Sequence, residues 1–216
     1  MIFVLAFIVF KIYLIFYPTK IIHKERFNRK KRYIVTSNHF SNLDSILYDA
    51  KFWTKFRFLG KKELFKSKFS AWIMKKVGVI PIDREKVAPS TFKEILTNLN
   101  NNKQIFIYPE GTRNKEELEG MQEAKDGVII FASKGEAEIL PMLLYKKPRA
   151  FRKNYIIIGE PIQIQGENPK RLTKEEVEQN LENYNKKMEE LRAELNEYVD
   201  SKKRHKKKEK IEKIEK

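Results

Sequence analysis

The run Gln104-Ile-Phe-Ile-Tyr108 is apolar at consecutive positions and has no polar face to give to water. Such a run fits a strand covered on both faces, as in a parallel sheet with helices above and below it. The flanking sequence agrees. Tyr33–Thr36, Phe56–Leu59, Val79–Ile82, Ile139–Tyr145 and Tyr155–Ile158 are further short apolar runs that read as strands. Pro81 places Val79–Ile82 at an edge or ends it there. Between them lie helical patterns. Ser41-Asn42-Leu43-Asp44 reads as a capping box that opens a helix through Ile46 and Leu47. Phe65–Val77 carries Phe65, Phe69, Trp72 and Ile73 at helical spacing before Gly78, and Pro89–Asn100 and Glu123–Lys134 repeat the pattern. The fold class is therefore α/β: a mixed, mainly parallel sheet with flanking helices.

Two extensions frame this unit, residues 33–165. Residues 1–17 carry only Lys11 as a charge, and residues 18–33 then hold seven Lys/Arg against one Glu. The stretch is marginal for a span of about 20 residues. No basic segment precedes it and no small-residue cleavage site follows, which argues against a secretory signal. Residues 1–32 are read as a membrane-associated helix with a basic flank, either a short anchor or a helix lying in the interface. At the other end, Thr173-x-x-Glu176 opens a long helix over 166–200. Its apolar residues, Val177, Leu181, Tyr184, Met188, Leu191, Leu195 and Tyr198, are spaced four and three apart. That stripe serves equally a helix packed on its own domain and a homodimeric coiled coil. Residues 201–216 are lysine-rich and read as a disordered basic tail.

The net charge of +16 requires an anionic partner. The excess sits in three blocks, at 18–33, 51–76 and 202–216, with net charges of +6, +8 and +6. The absence of cysteine and the presence of only three histidines exclude a disulfide scaffold, a thiolate metal site and a cysteine nucleophile, and leave no multi-histidine metal site. The eight glycines build no dinucleotide or Walker-type loop. A basic nucleic-acid-binding protein agrees with the charge alone; no recognised nucleic-acid-binding pattern accompanies it.

His39 stands between a strand and a helix cap, at a strand's carboxyl end, where open α/β sheets place their sites. A lone histidine is usually structural, but here Asp44 lies one helical turn away. At a loop-to-helix junction Asp44 can accept the proton of one imidazole nitrogen and leave the other as a general base; the alternative is that it only caps the helix. Tyr108-Pro-Glu-Gly-Thr-Arg113 follows the apolar strand at another carboxyl end. Gly111 permits a tight turn, Thr112 adds a hydroxyl, and Arg113 offers a planar cationic fork suited to phosphate. Gly78-Val-Ile-Pro-Ile-Asp-Arg84 is a strand followed by an acid and an arginine.

In this order the motifs resemble the bacterial 1-acyl-glycerol-3-phosphate (lysophosphatidic acid) acyltransferase family. The matching elements are Asn38-His39 to Asp44, Lys61-Lys62-Glu63-Leu64, Gly78 to Arg84, Tyr108 to Arg113, and Ile139-Leu140-Pro141. Departures are Tyr108 for the usual Phe, Asn114 for a common Ser, and Asp126 between Lys125 and Gly127. The resemblance implies transfer of a fatty acyl group to the free hydroxyl of lysophosphatidic acid, making phosphatidic acid in phospholipid synthesis. The acyl thioester, of coenzyme A or acyl carrier protein, is a co-substrate, and no cofactor or metal is implied. His39 would be the base and Asp44 its orienting partner. Arg113, Arg84 and Lys61 would hold the acceptor's phosphate beside Gly111 and Thr112. Glu110 would bond to the glycerol or to Arg113. Glycerol 3-phosphate or another lysolipid is the alternative acceptor. Membrane lipid, and no nucleic acid, is the expected partner, at the cytoplasmic face of the cell membrane.

Overall fold

The computed structural model describes residues 14–83, 87–114, 123–212 and 214. Seven strands form one sheet: β1 (Thr19–Ile22), β2 (Tyr33–Thr36), β3 (Arg57–Lys61), β4 (Ile80–Ile82), β5 (Ile105–Ile107), β6 (Glu138–Leu144) and β7 (Asn154–Ile158). Their order is β1-β7-β6-β2-β5-β3-β4. Every neighbouring pair is parallel except β6–β7. Helices α1 (Leu43–Phe52), α2 (Lys68–Val77), α3 (Pro89–Asn100) and α4 (Gly127–Lys134) make the crossovers, and α5 (Lys174–Glu212) closes the chain.

The alternation of side chains along each strand sorts the core into two layers. Tyr33, Val35, Phe106, Leu140, Met142 and Leu144 pack with Leu47, Tyr48 and Phe52 of α1. Ile34, Ile105, Ile107, Ile139 and Leu143 pack on the opposite face with α3, α4 and α5. Continuous apolar strands are thus covered on both sides. β4 lies at the sheet edge, where Pro81 lacks only a solvent-facing donor.

Several expectations change. The basic flank of residues 18–32 contributes an edge strand: β1 pairs in parallel with β7, Lys20 opposite Tyr155. Only one of its four residues, Ile22, is buried, too weak a pattern to stand out among cations. The apolar stripe of α5 is spent within the chain. Tyr184, Met188, Leu191 and Leu195 are buried against the sheet, so the seam that a coiled-coil dimer would use is occupied. α5 also runs on to Glu212, where a disordered tail was expected. Lys and Glu are good helix formers, and the pairs Asp200–Lys203 and His205–Glu209 join successive turns. The Thr173–Glu176 box forms as read: Thr173 N donates to Glu176 and Glu176 N donates to Thr173 Oγ1.

Most of the apolar N-terminal stretch lies outside the described residues. Among the described residues no helix is long and apolar enough to cross a membrane.

Candidate active site

The site forms where β2 and β5 end side by side. Thr36 is in register with Ile107, so the next residues of both strands emerge at one level. Ser37 N continues the ladder to Ile107 O at 3.3 Å. Asn38 then locks the turn. Its Nδ2 donates to Leu144 O at 2.9 Å, and its Oδ1 accepts from Leu144 N at 2.9 Å. This reciprocal pair satisfies buried backbone groups of β6 and fixes where His39 starts.

His39 Nδ1 lies 3.0 Å from Asp44 Oδ2, with the carboxylate side chain fully buried and the imidazole 14% exposed. The same Oδ2 accepts from Phe40 N at 2.6 Å and Ser41 N at 2.7 Å, and Oδ1 accepts from Ser41 Oγ at 2.9 Å. Asp44 therefore fixes the loop ahead of the helix and orients the histidine at once; the expected Ser41–Asp44 capping box is not the helix cap, since α1 begins at Leu43 with Asn42 as its N-cap and no side-chain cap bond. Because a carboxylate only accepts, it assigns the imidazole proton to Nδ1 and leaves Nε2 as the basic nitrogen.

Tyr108 backs the imidazole. The two rings are 3.9 Å apart and 16° from parallel. The phenol hydroxyl is 3.0 Å from Ser45 Oγ on α1. Burial, and next the charge of Asp44, hold the Tyr108 phenol well above its usual range, so it stays neutral. Beneath lies an aromatic layer in which Phe106 meets Tyr48 and Phe58 at ring distances of 4.8 Å.

The turn after β5 closes over the site. Gly111 adopts a φ of +71°, and its N–H returns to Tyr108 O at 3.0 Å. A side chain there would be strained, and its Cβ would stand 3.4 Å from Lys125 Cε. Asn114 N donates to His39 O at 2.7 Å, which ties this turn to the histidine itself. Arg113 is exposed, with Nη1 3.3 Å from Asn42 Oδ1 just ahead of α1. The cation thus stands over the positive end of a helix, a combination suited to an anion. Thr112 is exposed beside it. Glu110 is 7% exposed and faces inward, toward Tyr184 of α5. Burial first, and the charge of Glu110 as well, raise that phenol's pKa. Lys61 is exposed at the end of β3, two strands from β2 in the order of the sheet. Arg84 lies outside the described residues.

Asn38 and Tyr108 stand within the sequence motifs, where local pattern assigns them no role. The signal for Tyr108 was available in part: it ends the most apolar strand, and that strand had to neighbour β2 for the two motifs to meet.

A buried carboxylate hydrogen-bonded to a histidine at the carboxyl end of a parallel sheet is an arrangement that can supply a general base to a transferase or a hydrolase. The chain belongs to the Acyltransferase family, whose match spans residues 19–145, and it is an acyltransferase-type enzyme. The 1-acyl-sn-glycerol-3-phosphate acyltransferase of Bacillus subtilis is 29% identical over 150 residues, covering 66% of this chain and 73% of that protein. The protein of the same name in Helicobacter pylori is 34% identical over 120 residues, covering 55% of this chain and 50% of its own length. The crystal structure of the 1-acyl-sn-glycerophosphate (LPA) acyltransferase PlsC from Thermotoga maritima has the same fold. Its TM-score is 0.60 at 22% identity, over 85% of this chain and 73% of that one.

Proposed function

We propose that this chain transfers a fatty acyl group from an acyl thioester to the free glycerol hydroxyl of lysophosphatidic acid, giving phosphatidic acid. The observation that carries the reading is the His39–Asp44 pair, 3.0 Å apart, beside an exposed arginine over a helix N-terminus. The names of the relatives support the acceptor.

In the proposed reaction the acceptor hydroxyl attacks the thioester carbonyl while His39 Nε2 takes its proton. The carbon–oxygen bond forms, the carbon–sulfur bond breaks, and the departing thiolate recovers the proton from the imidazolium. Asp44 steadies the imidazolium through Nδ1. No covalent acyl-enzyme is required, in keeping with a chain that has no cysteine. Arg113 holds the acceptor's phosphate, and Gly111 brings backbone close to it. Glu110, buried and directed toward Tyr184, supports the turn. The reading takes thioesters of coenzyme A and of acyl carrier protein alike, and places the enzyme at the cytoplasmic face of the cell membrane, where its cationic blocks meet anionic lipid.

The test is acyl transfer to lysophosphatidic acid from both donors by the wild type and by His39→Ala. Turnover in the wild type that falls by about 10²–10⁴ or more in the variant is expected. Undiminished turnover in folded His39→Ala removes the base. Failure of the wild type to acylate lysophosphatidic acid with either donor removes the acceptor.

A further inference from the structure

Helix α2 presents aromatic side chains outward, away from the core. No residue of its ten is fully buried. Phe69 is 71% exposed and Trp72 46%, with Leu64 just ahead of the helix at 49%. On a helix of 3.6 residues per turn, positions 69, 72 and 76 share one face, and the rings of Phe69 and Trp72 stack at 6.3 Å. Lys76 continues that face, and Lys68 and Lys75 lie together along one side of it. Over residues 61–77 six lysines stand against one acid, Glu63. The helix is nonetheless built to stay. Ser67 and Ser70 form a reciprocal N-terminal cap, and Gly78, at φ +87°, ends it with bonds from Gly78 N to Lys75 O and Val79 N to Met74 O.

We propose that this face docks on an anionic lipid surface, with Phe69 and Trp72 seated at the level of the head groups and the lysines around them on lipid phosphates. Charge complementarity selects this occupant: the aromatic face carries one lysine and is bordered by two more, the pattern of a helix lying in an interface. Tryptophan suits that depth because its ring is apolar and its N–H is polar. Position gives the contact a use. α2 leaves the carboxyl end of β3, and β2, β3 and β5 run parallel, so the helix begins on the side of the sheet where His39 stands. The face stands apart from the point where the described chain begins. The chain enters the described fold at Leu14–Phe16, where Phe16 packs on Phe151 beside β1 and β7. β1 and β4 are opposite edges of the seven-stranded sheet, about 29 Å apart at the usual strand spacing. The purpose of docking rests on the lipid acceptor proposed above; its test does not.

The chain has two tryptophans, Trp53 and Trp72, so Trp53→Phe, at an exposed position, leaves Trp72 as a local reporter in the full-length protein. With vesicles of phosphatidylcholine and phosphatidylglycerol, Trp72 emission should shift to the blue and be quenched by brominated acyl chains. Added salt should weaken both effects, and vesicles of phosphatidylcholine alone should produce much less of either. Reversing Lys75 and Lys76 to Glu should lower affinity for the anionic vesicles about tenfold or more. Trp72 emission that stays unchanged when the full chain meets anionic vesicles overturns the proposal. So does a Trp72 already shielded from aqueous iodide before lipid is added, because residues 1–13 or a second copy would then cover the face. None of these readouts uses turnover, so a failed transfer assay leaves them standing.

Discussion

The imidazole of His39 lies flat against the ring of Tyr108, 3.9 Å away, while Asp44 grips its edge at Nδ1. The ring is therefore held in two directions, by a stack and by a hydrogen bond. Tyr108→Phe keeps the stack and loses only the bond to Ser45. We expect kcat near wild type and a stability loss of about 0.5–1.5 kcal/mol. Tyr108→Ala removes the support, with a cost of about 3–5 kcal/mol and a clear fall in kcat. Urea unfolding and acyl-transfer assays on both variants check this; a Tyr108→Ala enzyme with wild-type kcat would show that the stack does not position the base.

Asp44→Asn separates charge from shape. The amide oxygen can take the place of Oδ2 and keep its three donors, and the amide nitrogen can donate to Ser41 Oγ. The fold should lose only about 1–2 kcal/mol, from charge at a helix N-terminus and weaker hydrogen bonds. Transfer should fall by about 10²–10⁴ because the imidazolium loses its counter-charge. Measured together, kcat and unfolding free energy decide whether Asp44 serves chemistry or only the loop before α1.

Arg113→Ala tests the anion site. Its side chain is exposed and touches Asn42, so removing it should leave stability within about 0.5 kcal/mol. A charge-assisted bond of about 1.5–3 kcal/mol to the acceptor's phosphate would be lost. The KM for a phosphorylated acceptor should rise by about 10–100-fold, with kcat less affected. An unchanged KM would take Arg113 out of phosphate binding.

Alkaline pH should weaken the fold. Tyr48, Tyr108 and Tyr184 are held neutral chiefly by burial, with pKa values raised above the ordinary 10.0. Below pH 10 both folded and unfolded states keep these protons, and the stabilisation is fully present. Above it the unfolded state releases them and the native state does not. Each group then costs about 1.4 kcal/mol per pH unit until its folded pKa is reached. Urea unfolding between pH 8 and 11 should show stability falling from about pH 10 upward, and Tyr48→Phe should make the fall shallower. A flat profile would mean that these phenols are solvated.

Local pattern carried much of this protein. The strands at Tyr33–Thr36 and Ile105–Ile107, the presence of a helix through Ile46 and Leu47 and the position of His39 and Asp44 follow from residues within a few places of one another, because alternation and turn geometry are short-range physics. The dyad was legible for that reason: strand end, histidine and carboxylate lie within a few residues of one another. The rest needed the sheet. Asn38 meets Leu144 across 106 positions, and His39 meets Tyr108 only because β5 lies beside β2. The stripe of α5 could serve a partner or its own domain with equal chemistry, and burial of Tyr184 and Leu195 against the sheet decided it. The aromatic spacing of α2 reads like a core helix, yet in the fold Phe69 and Trp72 stay largely exposed. Periodicity tells which side chains of a helix or strand lie together. Which surface covers them depends on strand order and packing between distant segments, and these were settled only when the chain closed on itself.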